Sequence, residues 1–438
     1  MKNLLVITYY WPPASGGGVQ RILKFCKYLP TYGWRPVVLT ARHTGNGLLQ
    51  DESFNSEAAG IPVYQVDFWF DPVRLLNRTN GMKNTSTKEK TIVFSSFAKK
   101  LLGFLWLNLL VPDSKIGMYG LAKKAVAEII EQYEIEAVFS SCPPYTMHLI
   151  GWDVKQKYKL PWIADFRDPW LENHAYNQGF RLPWIKSINR RLEMRTLRRA
   201  DRVTCATWMQ KELLAAKIGD REKITVITNG YDAADMVMRS ERREFFYITH
   251  IGTIYDKGFP ERFFRRISAL IQNDIELKQQ LRLRIIGTFS SSVSNLLQRI
   301  IPVENLELRE YIPHAEAVRY LYQEQVLLLL VNEDPLQAYS LPAKLYEYLP
   351  TGNPILGFGL PHDDVETILE QKTGRGVHVA AENAAEIDAW IRDRFAEWKK
   401  GKLNRGMQRF LEFEREHLTQ QLAASIEKCL ETSGRQPD

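Results

Sequence analysis

The sequence SLPAKLYEYLPTGNPIL at residues 340–356 decides the fold, because it contains a helix, the end of that helix and a buried strand in one short segment. Apolar side chains recur at helical spacing at Leu341, Leu345 and Tyr348. This spacing predicts a short helix, and Gly352 is typical of a residue that ends one. The apolar run 354–356 then predicts a strand covered on both faces, as in a parallel sheet.

Two charged residues on another side of this predicted helix, Lys344 and Glu347, are the first candidates for a ligand site. They lie three residues apart and therefore share one side of a helix. A cation beside backbone N–H groups can bind phosphate, and a carboxylate can bind the hydroxyl groups of ribose, so the pair suits a nucleotide. A surface ion pair is the alternative interpretation.

Length and charge limit the kind of protein that this chain can be. A chain of 438 residues exceeds the size at which one hydrophobic core keeps growing, so two domains are expected. The formal charge of +7 and the pI near 9.0 favour anionic partners, which could be phosphorylated ligands, acidic membrane surfaces or nucleic acid. Because no recognised nucleic-acid module occurs in the sequence, no nucleic-acid partner is predicted.

The four cysteines are widely spaced and none forms a C-x-x-C pair, so neither a zinc site nor a disulfide framework is predicted. They are Cys26, Cys142, Cys205 and Cys429. We expect no metal site and a reducing cytoplasmic location. The N-terminal sequence MKNLLVITYY has too short an apolar run for a signal peptide and is interpreted as a first strand.

A glycine-rich loop follows that strand and is the second candidate site. Its glycines are Gly16, Gly17 and Gly18. The amphipathic segment Val19–Leu29 predicts a helix directly after the loop, with Arg21 in its first turn. Backbone N–H groups of such a loop can approach a phosphate or sugar closely, with the helix dipole behind them, and Arg21 is expected to contact the same ligand. A tight connection without a ligand is the alternative, since the loop is not G-x-G-x-x-G.

The most hydrophobic window of the chain is IVFSSFAKKLLGFLWLNLLV at residues 92–111. Its uninterrupted part, 101–111, is about half the length that a bilayer requires, which argues against a membrane-spanning helix. A helix that lies in the membrane interface, anchored by aromatic and lysine side chains, is one interpretation. An ordinary helix packed within a domain is the other.

A strand that ends in charged residues gives a third candidate site. The segment WIADFRDPW at 162–170 places Asp165, Arg167 and Asp168 at the carboxyl end of that strand. Carboxylates are costly to leave unpaired, so we expect the three residues to hold one another in a network that borders a site. A structural ion pair that braces two loops is the alternative. His148, a lone histidine within a predicted helix, is interpreted as structural.

A second α/β domain is predicted after the polar segment 229–243. Its first strand ends at Gly252 and is followed by Thr253 and Lys257, where an open parallel sheet binds ligands. Strands and helices alternate in both halves, which predicts an α/β protein with two doubly wound Rossmann-like domains facing a deep cleft. We expect an N-terminal acceptor domain at 1–232, a linker at 233–244, a nucleotide-sugar domain at 245–410 and a C-terminal helix at 411–438 that packs back on the first domain. The tail is expected to be helical throughout from about Ala384.

The order and spacing of these motifs resemble those of family 4 glycosyltransferases of the GT-B fold. The resemblance covers essentially the whole chain. It rests on the first strand and glycine loop, on DFRDPW at 165–170, on TNGYD at 228–232, on IGT at 251–253, and on KLYEY at 344–348 through GNPI at 352–355.

This resemblance implies a retaining hexosyltransferase that transfers a sugar from a nucleotide-diphosphate donor, such as a UDP- or GDP-sugar, without a metal ion or cofactor. Glu347 matches the family's glutamate for the ribose hydroxyls, and the loop 16–18 matches the one that approaches the diphosphate. Lys257 is the nearest match for the cation that neutralises the diphosphate. Because Thr253 stands where the usual arginine follows the glycine, Lys344 is expected to share that role.

The position of Asp168 suggests that it orients or deprotonates the acceptor hydroxyl, so the expected catalytic residues are Asp168, Lys257 and Lys344. Two departures from the family pattern are visible. Tyr339 occupies the position of a first glutamate, and the segment 141–143 replaces a common histidine. A catalytically inactive nucleotide-sugar-binding partner is therefore kept as an alternative. A nucleotide-sugar 2-epimerase is kept as another, because it has a similar two-domain fold.

The expected role is the synthesis of a cell-surface polysaccharide or lipopolysaccharide. The expected partners are the nucleotide-sugar donor and a glycan or lipid-linked acceptor. The positive charge and the hydrophobic window 92–111 add a peripheral contact with the cytoplasmic face of the inner membrane.

Overall fold

A computed structural model of the chain describes residues 1–42, 50–70, 96–236, 244–332, 339–380, 383, 385–403 and 406–432. The chain divides into two compact units. Unit 1 comprises residues 1–228 and the C-terminal segment from Leu418, and unit 2 comprises residues 229–417. The predicted linker falls at the start of unit 2, and its residues 237–243 lie outside the described residues.

Unit 1 is built on a parallel sheet of seven strands in the order β3-β2-β1-β4-β5-β6-β7. The strands are β1 (Lys2–Ile7), β2 (Trp34–Ala41), β3 (Val63–Val66), β4 (Ile135–Cys142), β5 (Trp162–Phe166), β6 (Arg202–Cys205) and β7 (Ile224–Val226). The central strands are continuous apolar runs because helices cover both faces of a doubly wound sheet. The carboxyl ends of β1, β4 and β5 lie side by side at one edge, which positions the glycine loop beside Asp165 and its neighbours.

The helices of unit 1 cover both faces of this sheet. They are α1 (Gly17–Tyr28), α2 (Ser53–Ala58), α3 (Ser96–Leu109), α4 (Tyr119–Gln132), α5 (Thr146–Tyr158), α6 (His174–Asn177), α7 (Pro183–Arg199) and α8 (Trp208–Ile218), with a short 3₁₀ helix at Ser114–Met118. One core lies between the sheet and α4 and α5, and a second lies between the sheet and α1. The apolar spacing of α1 matches its prediction, although the helix begins two residues earlier.

Unit 2 is built on a parallel sheet of six strands in the order β10-β9-β8-β11-β12-β13. These are β8 (Phe246–Ile251), β9 (Leu281–Ile286), β10 (Leu306–Arg309), β11 (Val326–Leu330), β12 (Ile355–Gly359) and β13 (Gly376–Ala380). Its helices are α9 (Glu261–Gln272), α10 (Ile275–Gln280), α11 (Ser291–Ile300), α12 (His314–Gln323), α13 (Lys344–Tyr348), α14 (Asp363–Glu366) and α15 (Ala385–Lys399). A separate core fills this unit.

The C-terminal segment differs from the continuous helix that the sequence predicted. After α15 ends, the described residues are irregular up to a short 3₁₀ helix at Leu411–Phe413, and the last helix, α16, spans Arg415–Thr432. Apolar residues of α16, among them Leu418, Leu422 and Ile426, are buried in unit 1 against β1 and α1. Gly401 and Gly406 both have positive φ in the irregular stretch, and a right-handed helix cannot continue through such a residue. Glycine adopts this conformation without the strain that an L side chain would cause.

Candidate functional site

The carboxyl edge of the second sheet is shaped by glycines that end its strands. Gly252 follows β8 with φ 155°, and Gly287 follows β9 with φ 136°. A side chain on Gly287 would overlap the carbonyl oxygen of Gly252, so the two strand ends touch through bare backbone. A side chain on Gly252 would occupy the space that Lys344 Nζ fills. Glycine at position 252 therefore lets the lysine ammonium rest on the end of β8.

Helix α13 carries the two charged residues that the sequence singled out. Its apolar face is fully buried through Leu345 and Tyr348, and the Ile251 N–H donates a hydrogen bond to the Tyr348 hydroxyl over 3.3 Å. This bond fixes the helix to the end of β8. Lys344 and Glu347 face the other way and remain only partly buried. The structure therefore places Lys344 beside Gly252, with Glu347 in the same turn of α13.

Glu347 is held as a carboxylate by its surroundings. His314, at the start of α12, places Nε2 3.1 Å from Glu347 Oε1. Burial acts to raise the pKa of Glu347, but the hydrogen bond from His314 and the charges of His314, Lys344 and Arg415 outweigh it, so the pKa is lowered. Burial also lowers the pKa of Lys344, against the opposing charge of Glu347. An ionised carboxylate beside an ammonium can accept hydroxyl donors and attract an anion at neighbouring points.

The other two predicted residues after β8 lie in its exposed loop. Thr253 and Lys257 are both exposed. The Lys257 carbonyl accepts a hydrogen bond from the Asn332 side chain over 3.2 Å, and Gly258 packs so closely on Asn332 that a side chain there would overlap it. This arrangement fixes the backbone of the loop. The ammonium group that lies beside Gly252 is therefore that of Lys344 and not that of Lys257.

The glycine loop of unit 1 is shaped by a residue that lies far from it in the sequence. Gly16 precedes α1 with φ 110°, and no side chain caps the helix start. A side chain on Gly18 would overlap Nη1 of Arg167. Arg167 donates hydrogen bonds from Nε to the Cys142 carbonyl over 3.0 Å and from Nη2 to the Pro143 carbonyl over 2.6 Å. Its guanidinium group therefore lies at the start of α1, a position that the sequence alone did not indicate.

Arg21, predicted to contact the ligand, is instead fully buried within unit 1. Its guanidinium group binds both carboxylate oxygens of Asp165, over 2.8 and 3.3 Å, and the Thr228 carbonyl over 2.8 Å. Asp165 also accepts hydrogen bonds from the Ser141 and Thr204 hydroxyls over 2.7 and 2.8 Å. Although burial opposes ionisation, Arg21 and these hydroxyls hold the pKa of Asp165 below its ordinary value. The expected mutual network of Asp165 with its sequence neighbours is thus replaced by an internal ion pair.

A second cation lies near Arg167 at this edge. Arg167 stacks over the Tyr10 ring at 5.2 Å, and Lys115 lies over the adjoining Tyr9 ring at 5.0 Å. Burial raises the pKa of Tyr10, and the charges of Arg167, Lys115 and Asp168 all act on its hydroxyl. Asp168 itself is partly buried. The predicted acceptor residue therefore shares its surroundings with two cations, of which Lys115 was not expected.

His148 has the structural role that was expected of it. It is fully buried, with Nδ1 2.8 Å from the Ser140 hydroxyl, and burial lowers its pKa to about 3. The ring is therefore neutral at physiological pH. Among the described residues, no three His, Cys, Asp or Glu side chains lie close enough together to hold a metal ion.

Comparison with known proteins identifies the domain that carries the glycine loop. Residues 16–230 match the family model described as a glycosyl transferase 4-like domain. This match confirms the predicted resemblance to family 4 glycosyltransferases for a domain that makes up about half of the chain. A relative, the Bacillus subtilis (strain 168) protein TuaH, named for a glycosyltransferase of teichuronic acid biosynthesis, is 22% identical over 229 residues. The match covers 50% of this chain and 53% of TuaH, so the chain spans about half the length of that curated relative.

Solved structures extend the likeness over the whole chain. HepE of Anabaena, in complex with UDP and glucose, aligns with a TM-score of 0.63 at 12% identity, covering 98% of this chain and 100% of HepE. A Listeria monocytogenes structure named as a UDP-N-acetylglucosamine 2-epimerase aligns with a TM-score of 0.55 at 13% identity, covering 100% of this chain and 99% of the other. With its two parallel α/β sheets, this glycosyltransferase-like chain has the GT-B fold that the sequence predicted.

The family 4-like domain also carries an exposed apolar surface, which we call the α3–α7 surface. It consists of Leu101, Leu105 and Leu109 on α3 and of Phe180, Trp184 and Ile188 at the start of α7. Leu109 is 71% exposed and Trp184 is 60% exposed. Asn108 joins the two segments, because its side chain donates to the Phe180 carbonyl over 3.1 Å and accepts from the Leu182 N–H over 2.7 Å. Exposed apolar side chains gathered in this way are typical of interaction surfaces.

The polar side of this surface is basic. Lys186, Arg190 and Arg191 on α7 are all exposed, whereas the acidic Glu193 is buried and paired with Lys217. Within the described residues, no helix combines the length and hydrophobicity that crossing a bilayer requires.

Proposed function

We propose that this protein is a retaining glycosyltransferase of the hexosyltransferase type, which moves a sugar from a nucleotide-diphosphate sugar to an acceptor hydroxyl. The observation that carries the proposal is the cluster of Gly252, Lys344 and Glu347 at the carboxyl edge of a doubly wound sheet, where such sheets bind ligands. The glycosyltransferase 4-like domain of unit 1 supports the same reaction class. The name of TuaH supports a place in cell-surface polysaccharide synthesis.

In this proposal Glu347 accepts hydrogen bonds from the ribose hydroxyls of the donor, and Lys344 binds its diphosphate. Breaking the bond between sugar and phosphate builds negative charge on the departing diphosphate, so a fixed cation placed there lowers the barrier. Lys344 is better placed for this than the exposed Lys257, because its ammonium group is held against Gly252. The residues named here supply positive charge without a metal ion.

The acceptor side of the proposed reaction belongs to unit 1. Asp168 lies at the carboxyl end of β5 beside the cations Arg167 and Lys115, where its carboxylate would orient or deprotonate the acceptor hydroxyl. Retention of configuration then needs no carboxylate nucleophile of the glycosidase kind, since both bonds can be made and broken on one face of the sugar. Replacement of Asp168 by Asn is expected to lower kcat while donor binding is unchanged, and unaltered turnover would remove this role.

The donor is proposed to be a UDP-sugar, because HepE carries UDP on the same fold. The matched epimerase structure keeps a 2-epimerase as a second candidate. Product analysis distinguishes the two reactions. An epimerase converts the nucleotide sugar without an acceptor, whereas the transferase leaves the donor sugar unconverted until an acceptor is added.

The acceptor is proposed to be a glycan or lipid-linked sugar that the enzyme meets at the cytoplasmic face of the membrane. The α3–α7 surface supports this, since large apolar side chains beside exposed lysine and arginine suit an anionic bilayer.

The nucleotide site can be tested directly by thermal shift against UDP, GDP and ADP. A ligand that binds the native state raises its stability by mass action, so the nucleotide of the donor is expected to raise Tm most. Replacement of Glu347 by Gln removes a charge-assisted acceptor and is expected to weaken that nucleotide about tenfold or more. The exposed Glu316 on α12 provides a matched control, E316Q, which should bind like the wild type. Equal affinity of E347Q and E316Q would contradict the assigned role.

A further inference from the structure

Two cations from separate segments meet at the carboxyl edge of the first sheet. Lys115 lies on the 3₁₀ helix Ser114–Met118, and Arg167 directly follows β5. Each lies about 5 Å from one of two neighbouring tyrosine rings, those of Tyr9 and Tyr10, whose centroids are themselves 5.0 Å apart. Aromatic faces hold cations in place without neutralising them. The tyrosine pair therefore holds both positive charges at this edge, and the charge of Arg167 lies beside the start of α1.

The backbone around each cation is fixed. The Asp113 side chain accepts hydrogen bonds from the Lys115 N–H over 2.9 Å and from the Thr146 N–H over 3.0 Å, which ties the lysine segment to the start of α5. Arg167 is tied to the Cys142 and Pro143 carbonyls by Nε and Nη2. These contacts build the site before any ligand arrives, so little ordering is left to oppose binding.

Both cations are only partly exposed. In the part of the chain that the structure describes, neither Lys115 nor Arg167 lies within ion-pair distance of a carboxylate, and the nearby Asp165 is already bound by Arg21. Nη1 of Arg167 lies over Gly18, in the space that any side chain would fill. Because neither cation is taken up by such an ion pair, both keep the capacity to bind an anion at this edge, beside the carboxylate of Asp168.

We propose that Arg167 and Lys115 form a site for a phosphate or carboxylate group of the acceptor, which would make the acceptor an acidic glycan or a phosphate-bearing one. The assignment to the acceptor rests on the proposed glycosyltransferase function, whereas the anion site itself does not. The guanidinium group of Arg167, whose Nε and Nη2 bind carbonyl oxygens while Nη1 lies over Gly18, and the ammonium group of Lys115 on the adjoining tyrosine suit the several oxygens of such an anion. Asp168, next in sequence to Arg167, would meet the hydroxyl of the same molecule.

The diphosphate of the donor has the same chemistry and is the other source that this site could accept. Lys344, the cation proposed for that diphosphate, belongs to unit 2. If the two oxyanions have separate sites, inorganic phosphate and UDP will bind independently of each other. If there is one shared site, they will compete.

The test is a titration of inorganic phosphate into the full chain, followed by thermal shift at constant ionic strength, with and without saturating UDP. The wild type is expected to be stabilised by phosphate to the same extent in both cases. Replacement of Lys115 by Gln is expected to weaken phosphate about tenfold, because the loss of one charge-assisted contact has about that effect. Arg167→Gln should do the same. The Lys115 variant keeps the proposal testable if R167Q fails to fold, because the Lys115 side chain makes no hydrogen bond to any residue that the structure describes.

Matched controls exist for both variants. Arg35 lies over the Tyr133 ring at 5.4 Å and Lys157 over the Tyr158 ring at 4.8 Å, each on an exposed part of unit 1 away from the glycine loop. R35Q and K157Q should bind phosphate like the wild type.

Wild-type phosphate affinity in K115Q would overturn the anion site. Competition between phosphate and UDP, or a loss of UDP affinity in K115Q, would overturn its assignment to the acceptor. If the proposed function is wrong, the wild type will not bind nucleotide, and E347Q will behave in the same way.

Discussion

Glu347 illustrates how a single carboxylate can be prepared for a ligand. Its hydrogen bond from His314 fixes the orientation of the carboxyl group, and neighbouring positive charges keep it ionised although it is partly buried. One oxygen, Oε1, is used by the histidine, and the remaining acceptor positions suit the two hydroxyls of a ribose. His314 is therefore a positioning residue, which acts through Glu347 and not on the substrate.

A pH profile of nucleotide binding tests the role of His314. The pKa of Glu347 in the folded chain lies below its ordinary value of 4.5, so the carboxylate contributes stability that is present above that value and is lost as the pH falls through the folded pKa. His314→Ala removes a hydrogen bond and a positive charge, both of which lower this pKa. We expect the pH at which UDP binding fails to move upward, with KM for the donor raised about fivefold to tenfold and kcat retained.

The conservative variant separates orientation from a general structural effect. His314→Asn keeps a side-chain donor and should recover part of the lost affinity, whereas a merely structural defect would not be rescued in this way. His174 also begins a short helix, α6 in unit 1, and H174A should leave the profile unchanged. An acid limit of binding that is identical in H314A and wild type would contradict the positioning role.

At the scale of elements, the sequence predicted most of the scaffold because its signals are local. Continuous apolar runs marked the central strands, and helical spacing marked α1 and α13. Strand β13 was not predicted from the sequence. Its residues, GVHVA, include a glycine and a histidine, and polar residues precede them. Gly401 and Gly406 lie where the tail departs from the continuous helix that the sequence predicted.

The candidate site was predictable only where its partners are close in sequence. Lys344 and Glu347 share one turn of helix, so their proximity follows from spacing. Arg21 and Asp165 are 144 residues apart, and only the pairing of β4 with β5 and the position of α1 bring them together. Similarly, the presence of Arg167 over Gly18 and of Lys115 over Tyr9 depends on tertiary contacts that no local pattern encodes.

Membrane association is a prediction about two elements, α3 and α7. We expect the protein to bind vesicles that contain phosphatidylglycerol, and to bind them less at high salt because screening weakens the attraction of the basic side chains. Each leucine that leaves the interface forfeits about 1 kcal/mol or more of apolar transfer free energy. The double variant Leu105→Gln, Leu109→Gln should therefore lower the partition coefficient about tenfold, as measured by vesicle co-sedimentation.

The matched control for this experiment is an exposed apolar residue in the other unit. Ile275 is 77% exposed at the start of α10, so I275Q changes the same kind of surface away from α3 and α7. It should leave partition unaltered. Equal binding of the double leucine variant and the wild type would exclude the α3–α7 surface as the membrane contact.

At the scale of the whole molecule, the chain returns to its first unit after completing the second. Helix α16 buries Leu418, Leu422 and Ile426 in the core beside β1 and α1, and Glu427 accepts a hydrogen bond from the Trp34 indole over 3.0 Å and pairs with Lys2 over 2.9 Å. The N-terminal strand and the C-terminal helix are thus parts of one folded unit. Unit 1 cannot complete this core until α16 is available.

Leu422→Ala tests this dependence and separates stability from ligand binding. Leu422 is fully buried, so truncating it is expected to lower the free energy of unfolding by about 2–5 kcal/mol, measured by denaturant titration. Leu411 is 63% exposed in unit 2, and L411A should cost little. Because Lys344 and Glu347 belong to unit 2, L422A should bind UDP as tightly as the wild type under conditions in which it remains folded. A variant that kept its stability but lost UDP affinity would show that α16 serves the nucleotide site instead of the core of unit 1.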